Sequence, residues 1–214
     1  MKKYLSELIG TFAIVFCGTG AIIINQEAGS VITHVGIAST FGLIVMTMIY
    51  ALGNISGAHF NPAVTIAFAA VKRFPMKEVL PYLISQIVGA LIASFTLKFL
   101  FPANPTLGTC IPAGSEMQSF ILEVIIAFLL MLVIANVAHG SKEQGMFAGL
   151  AIGATVLLTI MFAGPISGGG LNPARTLSPA IASGNFEHLW IYILGPVVGA
   201  LIAVFTWNFI RVKE

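Results

Sequence analysis

The chain has 214 residues, 57% of them hydrophobic and only 8% charged, against roughly a quarter charged in an ordinary soluble domain. So little charge cannot cover a water-facing surface, and a net charge of +2 without long basic runs offers no grip on nucleic acid. The acidic residues are all glutamate, and the two cysteines, Cys17 and Cys110, form no spacing that predicts a disulfide or a metal site. Cys17 sits in an apolar run and reads as a small buried hydrophobe.

A helix needs about 20 largely apolar residues to cross a ~30 Å hydrocarbon core. Six stretches meet that length, at 4–24, 32–53, 79–101, 118–138, 146–163 and 188–210. Lys2 and Lys3 before the first can imitate a secretory signal. The apolar run continues to about Ile24 and serves as a partner in an internal repeat, so it reads as the first span. Two shorter stretches, 62–71 and 173–182, begin at Asn-Pro and are too short to span. Backbone that breaks helix at membrane depth persists where it lines a polar cavity or is buried in protein, so two such half-helices predict a pathway.

Lys and Arg cluster at the N-terminus (Lys2, Lys3), the second connection (Lys72, Arg73, Lys77), the fourth (Lys142) and the C-terminus (Arg211, Lys213), whereas 25–31 and 102–117 carry none. With six spans these places share one side, which predicts that both termini are cytoplasmic. Lys98, near the far end of the third span, is expected to snorkel to the interface.

The segment Ser56–Thr65 returns as Ser167–Thr176, with Asn61-Pro62-Ala63 matched by Asn172-Pro173-Ala174 at an offset of 111. Val88–Ala93 returns as Val198–Ala203 at an offset of 110, and Glu7 is echoed by Glu123. Each half, 1–104 and 115–214, therefore holds three spans and one half-helix within a single channel domain, 1–214. An odd number of spans turns the second half upside down. The expected fold is an all-α membrane protein of six transmembrane helices plus two half-helices, as an inverted repeat.

Proline is tolerated at the first helical position and the preceding Asn takes the N-cap, so Asn61 and Asn172 mark two positive helix ends. Facing each other at the midplane, they disfavour cations and protons while their amides donate to a neutral oxygen. The backbone of Gly57, Ala58 and His59, and of Gly168, Gly169 and Gly170, is expected to run extended and to line one wall with carbonyls. Glu7 and Glu123 are costly inside a membrane and functional by default. Their symmetric placement points to a structural role, accepting N–H groups of the unwound loops; a proton-coupled transporter using both is the alternative. His34, His139 and His188 read as solvated loop residues, and His59 as facing the cytoplasmic vestibule. No Ser/His, Cys/His or His/Glu metal spacing supports catalysis, so neither an enzyme nor a cofactor is expected. An added role in structural junctions stays open.

With these residues in place, the chain resembles the major intrinsic protein (aquaporin) family over essentially its whole length. It is most similar to the nodulin-26-like branch of plants and its bacterial relatives, through Phe60–Phe68, Lys72–Pro75 and Met161–Gly168. The resemblance implies a homotetramer with a pore in each protomer, passing water and small neutral solutes such as glycerol or boric, silicic or arsenous acid. It also implies a selectivity filter at Phe41, Ile160, Gly169 and Arg175. Strict water channels of the family usually place His at the Ile160 position, so this filter is expected to be wider and more apolar. Thr176 stands where glycerol facilitators carry Asp. Ala180, Tyr192 and Ile193 follow the nodulin-26-like pattern, whereas Phe41 replaces that branch's usual Trp, Ala or Gly. The short termini point to a bacterial plasma membrane.

Overall fold

The computed structural model describes residues 1–138 and 145–211; His139, Lys142 and Lys213, invoked above, lie outside them. Among the described residues are six long apolar helices: α1 (Lys2–Glu27), α2 (Thr33–Ser56), α4 (Met76–Leu100), α5 (Glu116–Ala138), α6 (Ala148–Ser167) and α8 (Leu189–Ile210). Two short ones, α3 (Pro62–Ala70) and α7 (Pro173–Ser183), begin at the Asn-Pro steps. The long helices overrun the sequence expectation by a few residues at several ends. The clearest case is α6, which continues through Pro165 to Ser167. Proline there removes one N–H but lies in the last turn, where little helix follows it.

The halves are built alike. In the first, α1 packs on α2 and α4; in the second, α5 packs on α6 and α8; α2 and α6 join the two. The half-helices are exchanged: α3 leans on α8 and α7 on α4, as well as each on its own half. Close approach of the long helices depends on small residues, as expected where lipid supplies no hydrophobic drive between helices. A Cβ on Gly89 of α4 would stand 2.2 Å from the Leu8 carbonyl oxygen of α1, and one on Gly199 of α8 would stand 2.2 Å from that of Val124 of α5.

The N-terminus and the C-terminal end of α8 lie on one face. Tyr4 Oη donates to Glu78 at 2.8 Å, Lys3 pairs with Glu78 at 2.9 Å, and the guanidiniums of Arg73 and Arg211 both lie over the Trp207 ring. On the opposite face, His188 is not a free loop residue: its Nδ1 lies 2.7 Å from Glu116 Oε1. His34 is likewise not in a solvated loop but in the first turn of α2, with Nε2 2.9 Å from the Met161 carbonyl oxygen. Lys98 does more than reach for the interface. Its Nζ donates to the Ala182 carbonyl at 2.6 Å, at the C-terminal, negative end of α7. Cys17 is only half-buried, and both cysteines are free.

Candidate functional site: a lined passage between two helix ends

The two Asn-Pro steps meet inside the bundle. Asn61 adopts extended backbone and its Oδ1 accepts the Ala63 N–H at 2.9 Å. Asn172 does the same with Ala174 at 3.0 Å and, more weakly, Arg175 at 3.4 Å. Pro62 and Pro173 occupy the first helical positions, where no backbone donor is wanted. Each Asn amide then reaches across: Asn61 Nδ2 donates to the Leu171 carbonyl at 2.9 Å, and Asn172 Nδ2 to the Phe60 carbonyl at 2.8 Å. Each NH2 has two hydrogens, so each keeps one for another acceptor.

The loops leading into the half-helices are not extended as the glycines suggested. Gly57, Ala58 and Phe60 have φ of +85, +52 and +49°, and their mates Gly168, Gly169 and Leu171 have +86, +61 and +58°. The same left-handed steps thus recur at an offset of 111, in the first half on two residues that carry side chains. Non-glycine residues in this region cost of order 1 kcal/mol or more each. The carboxylates hold the loops: Glu7 accepts the His59 and Phe60 N–H groups at 3.0 and 2.7 Å, and Glu123 accepts those of Gly170 and Leu171, both at 2.8 Å. Gln86 Nε2 adds a third donor to Glu7, and Ser167 Oγ a third to Glu123, each at 2.8 Å. Both carboxylates are fully buried, and neither lines the passage described next.

A cavity of about 710 Å³ runs between the helices. Its lining includes Tyr50, Asn54, Ala138 and Met146, at the ends of α2, α5 and the approach to α6 on the face that carries the N-terminus. It passes Gly57, Ala58, His59 and Phe60, then Asn61 and Asn172, and reaches Gly169, Gly170, Leu171, Phe41, Ile160 and Arg175. The α2 residues along it, Phe41 to Asn54, correspond to a length of about 20 Å. Gly168 is absent from the lining; its carbonyl faces Cys110, whose Sγ lies 3.6 Å away. Burial pushes the Cys110 thiol up to about 11, so it remains protonated and a weak donor. His59 lines the cavity with its ring against Phe68, Phe74 and Tyr82 and its Nδ1 3.0 Å from Thr65 Oγ1.

At the far end Arg175 is 2% exposed, with Nη1 donating to the Gly108 carbonyl at 3.1 Å and its guanidinium 5.3 Å from the Phe41 ring centroid. Five guanidinium N–H donors, one of them spent on Gly108, leave a surplus at the cavity wall. Among the described residues Arg175 forms no ion pair. Phe41 fits because α1 has Gly18 opposite, where a Cβ would stand 2.1 Å from the ring. Ile160 and Gly169 adjoin: a Cβ on Gly169 would lie 3.2 Å from Ile160 Cγ1.

Motif reading did not single out a second ring. Adding or subtracting the repeat offset carries Phe41, Ile160, Gly169 and Arg175 to Ile152, Ile49, Ala58 and Val64, and all four line the same cavity. The passage therefore has a polar-apolar ring on one side of the Asn pair and a wholly apolar one on the other. The repeat contained this information. Gly108, Gly18 and Gln86, by contrast, carry no sequence signal, because their roles depend on where distant loops and helices land.

Residues 1–207 match the sequence model of the family described as Major intrinsic protein. The chain is 48% identical over 212 residues to the aquaporin NIP1-1 of Oryza sativa subsp. japonica, covering 99% of this chain and 75% of that protein. It is 42% identical over 215 residues to nodulin-26 of Glycine max, covering 100% of this chain and 79% of that one. Its fold is similar to the X-ray structure of the aquaglyceroporin from Plasmodium falciparum, with a TM-score of 0.85 at 25% identity, covering 98% of this chain and 96% of that one. Paired half-helices, a lined passage between them and agreement along the whole length lead to one assignment: the chain belongs to the major intrinsic protein family and is a multi-pass membrane channel for water and small solutes.

Proposed function

We propose that the channel conducts water together with small neutral polyols and metalloid hydroxides, glycerol and boric, silicic or arsenous acid among them. It works in the plasma membrane as a homotetramer, with both termini cytoplasmic and a complete pore in each protomer. The two inverted halves, 1–104 and 115–214, make one channel domain. The observation that carries the solute range is the ring of Phe41, Ile160, Gly169 and Arg175 at the end of the cavity. Two of its members are apolar and one has no side chain, so a solute meets donors on the Arg175 side only. A strict water site needs polar groups on more than one wall to replace the hydration of so small a molecule; here a hydroxylated solute presents carbon or a second hydroxyl to Phe41 and Ile160. The name of the Plasmodium falciparum relative, an aquaglyceroporin, agrees with a glycerol-sized solute.

Asn61 and Asn172 serve as the central donors, each with one N–H still unspent, and the positive ends of α3 and α7 oppose cations and protons there. The carbonyls along 57–60 and 169–171 act as successive acceptors. Glu7 and Glu123 hold the loops and carry no protons across: each already accepts two backbone N–H groups and a side-chain donor, and both stand away from the cavity.

Stopped-flow light scattering on proteoliposomes tests the solute range. Wild type is expected to pass water, glycerol and arsenous acid, and Ile160→His to keep water while losing most of the flux of the larger solutes. Wild-type vesicles that pass water alone would overturn the reading and leave Phe41 as the limiting group.

A further inference from the structure

Pro165 stands in the last turn of α6 and has no N–H to give the carbonyl four residues earlier, that of Met161. That carbonyl is taken from another helix: His34 Nε2 of α2 lies 2.9 Å from it. A carbonyl only accepts, so the contact assigns the hydrogen to Nε2. Gly164 makes room for the imidazole, since a Cβ there would stand 2.7 Å from His34 Cε1. Met161 directly follows Ile160. His34 precedes Phe41 by seven residues, about two turns, on the same face of α2.

Helices α2 and α6 run antiparallel, and a second fixed point lies eight residues along each. There Gly42 and Gly153 are so close that a Cβ on either would sit 2.6 Å from the other's carbonyl oxygen. The pair is thus pinned at two levels about 12 Å apart. Phe41 adjoins one pin and Ile160 the other. The repeat mates of His34 and Pro165 are Gly145 and Asn54, so the equivalent place at the other end of the α2–α6 pair has neither the freed carbonyl nor the ring that takes it. The ring on that side, of Ile49, Ala58, Val64 and Ile152, also has no arginine.

We propose that His34 is a positioning residue for selectivity: by donating to the carbonyl that Pro165 frees, it sets the spacing between Phe41 and Ile160. The inference rests on the filter reading above. Without the bond, the Met161 carbonyl turns toward water, the last turn of α6 swings from α2, and the gap between the two apolar walls widens.

The test is a cycle of variants in proteoliposomes, read as the ratio of glycerol to water permeability and normalised to folded protein. His34→Ala is expected to raise the ratio about fivefold, the factor that one ordinary hydrogen bond commands, and His34→Gln, which keeps an N–H donor, to recover part of the change. Pro165→Ala returns the helix's own N–H to Met161, so in that background His34→Ala is expected to leave the ratio unmoved. An unchanged ratio in His34→Ala, or the same shift in both backgrounds, overturns the proposal. Ile160→His in parallel vesicles separates the two ideas: if it shifts the ratio and the cycle shows no coupling, His34 alone has been misread. If it shifts nothing, the filter reading fails.

Discussion

At the scale of single residues, Glu123 organises the passage without lining it. Its two oxygens collect the N–H groups of Gly170 and Leu171 and the hydroxyl of Ser167, and so hold the carbonyls of that loop in line. Glu123→Ala leaves these donors without an acceptor in a dry site, a cost of about 1–3 kcal/mol for each stranded group. Earlier thermal unfolding in detergent is the expected result, with Glu123→Gln, which retains one acceptor oxygen, in between. In vesicles, neither the wild type nor the Gln variant should show solute flux that follows an imposed proton gradient. The position of Glu123 was legible in the sequence because its mate Glu7 announces a paired role. Its partners were legible only in part: the glycines before Asn172 advertise a special backbone, but in the first half only Gly57 does so, and Ala58 and Phe60 take the further left-handed steps with side chains in place. His34 was misplaced for a related reason, since nothing in 33–35 hints that Pro165, more than a hundred residues on, leaves a carbonyl for it.

Among the helices, packing was encoded in residues that look featureless. Hydropathy alone marked six spans, and the Asn-Pro steps marked both half-helices to within a residue or two, because length and proline chemistry are local properties. Helix partners are not local, and only the repeated Val-Gly-Ala-Leu-Ile-Ala stretches of α4 and α8 gave a clue to which glycines permit contact. Gly89→Leu and Gly199→Leu each place carbon atoms where the backbone of the neighbouring helix now lies. Each is expected to lower the melting temperature by overpacking worth about 1–3 kcal/mol, and circular dichroism on heating should show the two effects to be of similar size. A large loss from one and none from the other would argue against the equivalence of the α1–α4 and α5–α8 contacts.

For the molecule as a whole, the inverted repeat builds a symmetric frame around an asymmetric passage. The frame follows from backbone mates that recur in both halves; the asymmetry follows from side chains, with Arg175 facing its mate Val64 across the Asn pair. Such a passage cannot favour net flow in either direction, because a passive pore obeys the gradient whichever ring is met first. Inhibition is a different matter. The cavity opens beside Tyr50 and Met146 and ends at Arg175, and its lining includes nothing from the 101–115 loop on the other face. A rigid molecule that passes the ring of Ile49 and Ile152 but is too wide for that of Phe41 and Ile160 is expected to lodge as deep as the Asn pair from one aqueous compartment and to be held at the Phe41 ring from the other. Added outside vesicles of random orientation, a plug that cannot cross the bilayer is expected to remove about half of the water flux, because only channels whose apolar-lined pocket opens outward can take it up. Pore blockers for this channel would therefore be one-sided drugs, with potency set by which compartment they can reach.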